Sequence, residues 1–220
     1  YQFPAVMPGM TNIFAYTEGF AFGGLSVRAN AGDLHEDKFI LLKEPASISG
    51  RVADGKKKGV ARTQISRILL VDGDVTDPAS RKFSIPFTKI VRFGFQVPTS
   101  DSKGNYSIHW LPAGETGFIK ANHTKYAQHV ISGIKVGAKD AKMTLSPGVL
   151  VSGSVYSRND RIPIPNAPII FTNRLPPRDT TIARTGADGT YFLRLTPGAY
   201  TYETLSANYA SVTKPQVIVS

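Results

Sequence analysis

The chain has no cysteine. That excludes disulfides, thiolate nucleophiles, cysteine-ligated metals and cysteine-attached haem. It leaves the compartment open, because sandwich domains of ordinary size hold together without disulfides and cytosolic proteins use few. No apolar run approaches the ~20 residues of a spanning helix, so no membrane span is expected in this segment. Nor does any long window sustain apolar positions at i, i+3, i+4 and i+7, so helices should be scarce. Acidic residues are the minority, 16 against 26 Lys and Arg, and the formal net charge is +10. Such a balance draws a protein towards anionic surfaces, among them acidic polysaccharide and lipid headgroups. The basic residues are nevertheless spread along the whole length. They are densest at Lys56-Lys57-Lys58, in an apparent hairpin that reads as a solvated loop.

Signals for chemistry are equally sparse. There is no G-x-S-x-G nucleophile elbow and no phosphate-cradling G-x-x-x-x-G-K-[ST] loop. The four histidines are His35, His109, His123 and His129, and no two have the i, i+2 spacing that puts both imidazoles on one face of a strand. They read as ordinary exposed residues, so neither a catalytic residue nor a cofactor is expected. Asp72, Asp74 and Asp77 in "VDGDVTDPAS" form a weak calcium candidate. The EF-hand template wants an acidic or amide residue where Thr76 stands, a Gly where Asp77 stands and a Glu where Phe83 stands, so an acidic turn is the better reading. Asn105-Tyr106-Ser107 and Asn122-His123-Thr124 match the glycosylation sequon, which matters only in a eukaryotic secretory pathway.

What is present is material for a β-rich core. The apolar fraction is 41% with 10% aromatic, and 20 Gly and 15 Pro are scattered as turn formers. The decisive feature is a repeat. "TSDSKGNYSIHWLPAGETGFIKANHTKYA" and the later "TGADGTYFLRLTPGAYTYETLSANYA" share a polar turn, at Asp101 to Gly104 and at Asp188-Gly189. An alternating strand follows, with Tyr106, Ile108 and Trp110 in one copy and Tyr191, Leu193 and Leu195 in the other. A period of two marks a half-buried strand, so Tyr106, Trp110, Tyr191 and Leu195 are expected to be buried. Upstream of each copy, "SISGRV" at Ser47 to Val52 matches "LVSGSV" at Leu150 to Val155. The opening "YQFPAVMPGMTNIFAYTEGF" fits the later part of the same unit, with Met7-Pro8-Gly9 in the place of Thr196-Pro197-Gly198. The chain is therefore expected to begin partway through a third copy.

The pattern "SGRV...GV...TSDSKGNYSIHWLPAG" with "SGSV...IPNAPI...GADGTYFLRLTPGAY" resembles the carboxypeptidase regulatory-like, or transthyretin-like, β-sandwich family. The resemblance runs from Ser47 to Ser220. It departs from the usual pattern at Ala113-Gly114 and in an insertion near 68–98. It implies an all-β chain of tandem Ig-like, transthyretin-like antiparallel sandwiches. Short joints stiffened by Pro45 and Pro147 suggest a semi-rigid rod. The expected modules are an incomplete sandwich at 1–44, a full one at 45–146 and a second at 147–220.

For function, the resemblance suggests an extracytoplasmic location and a non-catalytic spacer, stalk or accessory scaffold of a larger protein or assembly. The alternative is a module that binds carbohydrate or an anionic surface polymer, alone or appended to an enzyme outside this segment. Glycan binding uses exposed aromatics, for which Phe20, Phe22, Trp110 and Tyr126 are the candidates. Nucleic acid is not an expected partner, because the aromatics alternate into core positions rather than onto an exposed basic face. The first module carries Phe3, Ile13, Phe14, Phe20, Phe22, Phe39, Ile40 and Leu41 on too few strands to cover them. Its expected completion is polypeptide upstream of Tyr1, or a strand or surface from a partner subunit.

Overall fold

The computed structural model describes residues 8–33, 40, 42–71, 81–91, 94–175, 178–206 and 209–220. Every element but one is a strand, and the exception is a single helical turn, α1 (Phe87–Ile90). The fold is all-β, and its strands pair antiparallel except beside residues 47–49, along which residues 137–141 run parallel. It divides into two compact units, one of Tyr1–Ala121 with Ile131–Met143 and one of Asn122–Val130 with Thr144–Ser220. The division differs from a cut at residue 146, since residues 122–130 and 144–146 go with the second unit.

In the first unit, β1 (Gly9–Ala15) and β2 (Gly23–Ala29) form a two-stranded sheet with Gly9 opposite Ala29 and Ala15 opposite Gly23. A three-stranded sheet has β3 (Pro45–Asp54) between β6 (Asn105–Pro112) and β9 (Met143–Leu145). A four-stranded sheet runs in the order β5 (Arg81–Ile85), β4 (Gln64–Val71), β7 (Thr116–Asn122), β8 (His129–Lys135). Alternation sends Ile48, Val52, Ile108 and Met143 inward from the first of these sheets. Ile65, Ile68, Leu70, Ile85 and Ile119 are buried from the second. Burying each such side chain contributes roughly 1.5–3 kcal/mol.

The second unit pairs β10 (Val149–Ser154) with β13 (Thr190–Leu195). Its other sheet is β12 (Thr180–Arg184), β11 (Pro168–Asn173), β14 (Gly198–Ser206), β15 (Tyr209–Val219). Ile169, Phe171, Tyr200 and Val219 from the four-stranded sheet meet Leu193 and Leu195 from β13 in one core.

The repeated glycines and tyrosines occupy the same places in both units, whereas the turn carboxylates do not: Asp101 stands where Gly186 stands, and Asp188 where Lys103 stands. Gly50 of β3 stands opposite Tyr106, and Gly153 of β10 opposite Tyr191. Asp101 Oδ1 accepts the amides of Lys103 and Asn105 at 2.9 and 2.8 Å, and Asp188 Oδ1 accepts the Thr190 amide and hydroxyl at 3.0 and 2.7 Å. The Asn105 side-chain amide, which donates to Asp101 Oδ2 at 3.0 Å, and Thr190 at Asp188 hold both carboxyls below the usual carboxylate range. Gly104 and Gly189 follow with φ +86° and +75°, in the left-handed region that favours glycine. A third correspondence escapes sequence reading because the residue types differ. The buried Ser100 hydroxyl donates to the Val60 carbonyl and accepts the Thr63 amide, while the buried Thr185 hydroxyl donates to Ile164 and accepts the Ala167 amide.

Three of the four residues expected to be buried are at least partly so. Tyr106 and Leu195 are buried and Tyr191 is half-buried. Trp110 is not buried; it is 40% exposed. The reason is a β-bulge. Ile48 pairs with Ile108 but Ala46 pairs with Leu111, so His109 and Trp110 together oppose Ser47. Trp110 takes φ +64°, which turns its side chain out, and Leu111 fills the core instead. In β13 the register runs without a break from Tyr191 to Leu195, which pairs with Val149. The residue by which "LPAG" exceeds "TPG" is therefore absorbed at the bulge, and the structural counterpart of Leu195 is Leu111.

Candidate binding grooves

The bulge puts Trp110 among three other aromatics of the first unit. Tyr16 lies 6.3 Å from it edge-on, 5.2 Å from Phe22 and 4.8 Å from Phe95, and Phe22 lies 4.9 Å from Phe95. The backbone fixes the arrangement, because the Phe22 amide donates to the Trp110 carbonyl at 2.8 Å and the Ala21 amide to Lys43. A groove of about 410 Å³ opens here, lined by Phe22, Phe87, Phe95, Gln96, His109 and Trp110. Phe22 is buried, whereas Tyr16 is 41% exposed and offers ring surface beside Trp110. A large non-glycine side chain at positive φ costs on the order of 1–3 kcal/mol, and such strain collects at functional sites. Chemically the groove offers ring surface for stacking, with His109 and Gln96 as hydrogen-bonding partners.

A second groove, of about 550 Å³, lies within the second unit. His123 and Tyr126 meet edge-on at 5.1 Å, and His123 Nδ1 accepts the Lys125 amide. Gln128, Leu150, Phe192 and Arg194 line the rest. Phe192 is 77% exposed, and Arg194 Nη1 donates to the Pro147 carbonyl at 3.1 Å.

Of the four aromatics singled out by sequence, the structure brings Phe22 and Trp110 together and places Tyr126 in the other groove. Phe20 is exposed and lines neither groove. Tyr16, Phe95 and Phe192 were missed. Phe192 was legible, since the alternation that sends Tyr191 and Leu193 inward sends Phe192 outward. Tyr16 and Phe95 come from separate segments, and no local pattern connects them to Trp110.

The remaining candidates stay apart. His109 is exposed, and burial lowers the pKa of the half-buried His129 below the ordinary histidine value. His35, Asp72, Asp74 and Asp77 lie outside the described residues, as do Phe3, Phe39 and Leu41. Among the described residues no group of three or more His, Asp or Glu is placed to hold a metal. No helix among them is long and apolar enough to cross a membrane. The Lys hairpin is an exposed turn, closed by Asp54 Oδ1 accepting the amides of Lys56 and Lys58.

No family model matches the chain, and no curated protein matches it. Among solved structures, a streptococcal ancillary pilin superposes with a TM-score of 0.29 at 12% identity, covering 95% of this chain and 71% of that one. The TIE protein of Bacillus anthracis superposes with a TM-score of 0.27 at 13% identity, covering 92% of this chain and 38% of that one.

Proposed function

We propose that this chain is a non-catalytic structural and interaction segment of a larger extracytoplasmic protein or assembly. The observation that carries the reading is how the repeat is used. Each recurring group identified in both units serves the fold: Gly50 makes room for the Ala141 backbone and Gly153 for the Tyr191 ring, Asp101 and Asp188 close a turn, Ser100 and Thr185 bridge buried backbone. What evolution or design duplicated here is a building unit, and such units supply geometry. The β1–β2 sheet belongs to the same proposal: it has two strands among the described residues and leaves Phe14 exposed, a face for further polypeptide. The test is turnover. Residues 1–220 should be inert towards reporter substrates for glycosidases, esterases and peptidases. Turnover that disappears on substituting one described residue would reject the reading.

Carbohydrate binding is the second reading, and Trp110 is the specific observation that favours it. A bulge has turned the single tryptophan of the chain out of the core and beside Tyr16, His109 and Gln96. Because it is the single tryptophan, its emission reports on the groove directly. Titration with neutral and acidic oligosaccharides should shift that emission for at least one of them. Calorimetry should show the same binding lost in Trp110→Gly, which suits φ +64° and so keeps the fold. An unchanged emission across the whole panel would remove this reading and leave the first.

A further inference from the structure

We infer that the groove beside β13 in the second unit binds an acidic sugar, with Phe192 stacking on a uronic acid ring and Arg194 pairing with its carboxylate. This site and its ligand are separate from the Trp110 groove and require nothing of it.

The groove is a built element of the repeat. Tyr191 and Leu195 correspond to Tyr106 and Leu111, so Phe192 stands where Ser107 stands, and Arg194 where His109 and Trp110 stand. These outward positions line the groove of their own unit in both copies. Each groove also takes residues from a connection between two strands, Phe22 from residues 16–22 and His123 and Tyr126 from residues 123–128. One kind of anchor holds both connections. The buried Ala21 donates its amide to the Lys43 carbonyl at 3.0 Å, and the buried Ala127 to the Ser146 carbonyl at 2.9 Å. The frame is shared and the chemistry is not.

Phe192 and Arg194 lie two residues apart on β13, so both stand on the face turned away from Leu193 and Leu195, about 7 Å apart along the strand. Leu150, paired with Arg194, and Ile182 add apolar surface, and both are exposed like Phe192. Arg194 is half-buried, and its one side-chain hydrogen bond among the described residues goes to the Pro147 carbonyl. No Asp or Glu lines the groove; Asp179 accepts the side-chain amide of Gln128 and stays out of the lining. A guanidinium drawn partly out of water without a counter-charge is costly, and its fork matches a carboxylate in two parallel hydrogen bonds. Asn122, Thr124 and Thr181 supply partners for hydroxyl groups. A phosphate would use the cation and leave the ring bare. A neutral sugar would use the ring and leave the cation unpaired. A uronic acid uses both, and the net charge of +10 draws its polymers in.

The probes are tetramers of glucuronic, galacturonic and mannuronic acid, titrated calorimetrically into the intact 220-residue chain, with their methyl esters and tetraglutamate as controls. At least one tetramer should bind saturably, with an affinity that falls as salt rises. Its methyl ester should bind at least ~10-fold more weakly, as for a lost charged hydrogen bond. Arg194→Gln and Phe192→Ser should each weaken binding at least ~10-fold with unchanged circular dichroism. Both side chains face away from the core, and a serine already stands at the matching place in β6. Trp110→Gly should leave this binding unchanged. Failure of all three tetramers to bind would overturn the inference, as would equal binding of the esters or of tetraglutamate. So would an affinity indifferent to both substitutions, or one lost in Trp110→Gly alone, which would give the ligand to the first groove.

Discussion

Tyr106 and Tyr191 hold the same position in two copies of one motif, each across from a glycine, and their surroundings differ completely. Tyr106 lies buried under residues 137–141 with its hydroxyl on the Ala141 carbonyl, while Tyr191 lies half-buried against Gly153 with no such cover among the described residues. The two-strand elements share the pairing of glycine with tyrosine, the turn and the bridging hydroxyl, and differ in the bulge that breaks the register of β3 and β6. What changes is the third strand, which in the first unit comes from outside the motif. A repeat can thus fix local pairing while leaving burial to whatever lies alongside. The burial of a strand residue belongs to the sheet and not to the strand.

The largest test of this contrast lies at the two glycines. Gly50→Ala puts a methyl 2.0 Å from the backbone oxygen of Ala141, an atom that cannot swing aside. It should destabilise the first unit by about 3 kcal/mol, or displace the covering strand. Gly153→Ala meets the Tyr191 ring, 2.7 Å away at its hydroxyl, and a half-buried ring can rotate. Its cost should be about 1 kcal/mol. Residue-resolved hydrogen exchange under mild denaturant separates the two, and equal costs would mean that β10 is as enclosed as β3.

Removing the two hydroxyls gives a smaller effect of the same sign. Tyr106→Phe leaves the Ala141 carbonyl without its donor and should cost about 1–2 kcal/mol. Tyr191→Phe should change the free chain by less than about 0.5 kcal/mol. A double-mutant comparison of Tyr106→Phe with a shortened 137–141 segment would show whether the hydroxyl and the covering strand act together.

Titration should move stability least. Burial holds the Tyr106 pKa above the ordinary tyrosine value, and burial followed by Tyr202 raises that of Tyr191. A raised acid favours the protonated folded state, so this stabilisation is complete below pH ~10 and fades as pH rises through the folded values. Loss above pH ~10 should be greater in the first unit. For Asp101 and Asp188 the sign is opposite: their lowered values contribute stability above pH ~4 that is lost as pH falls through the folded pKa. Both carboxyls are exposed, so the acid effect should be a local loosening of the two turns, visible in amide shifts of Asn105 and Thr190.

Much of the fold was legible because it is written in local patterns. The period of two at Tyr191, Leu193 and Leu195, the Asp and Gly turns, and the matching SG-x-V segments are short-range signals, and each took its expected place in a strand or turn. Trp110 was misread for the same reason. Strict alternation from Tyr106 places it inward, and nothing local announces that an extra residue will be absorbed as a bulge before Leu111. The surplus residue in "LPAG" was visible, but its position was not, because a bulge forms where both flanking registers are already pinned by burial. The aromatic groove was half legible. Phe22 and Trp110 could be named as candidates, but their meeting with Tyr16 and Phe95 depends on chain segments far apart in sequence. The different surroundings of β3 and β10 among the described residues could not be read at all, since "LVSGSV" and "SISGRV" look alike.

Amide hydrogen exchange of the free chain at Ser49 and Ser152 tests that difference most directly. Ser49 donates to the Ala138 carbonyl at 2.9 Å, and Ser152 is its counterpart on β10, which has β13 as its one partner among the described residues. The account predicts strong protection at Ser49 and exchange near the intrinsic rate at Ser152, with the neighbouring amides of β10 that face β13 still protected. Equal protection of the two serine amides in a dilute monomer would contradict it.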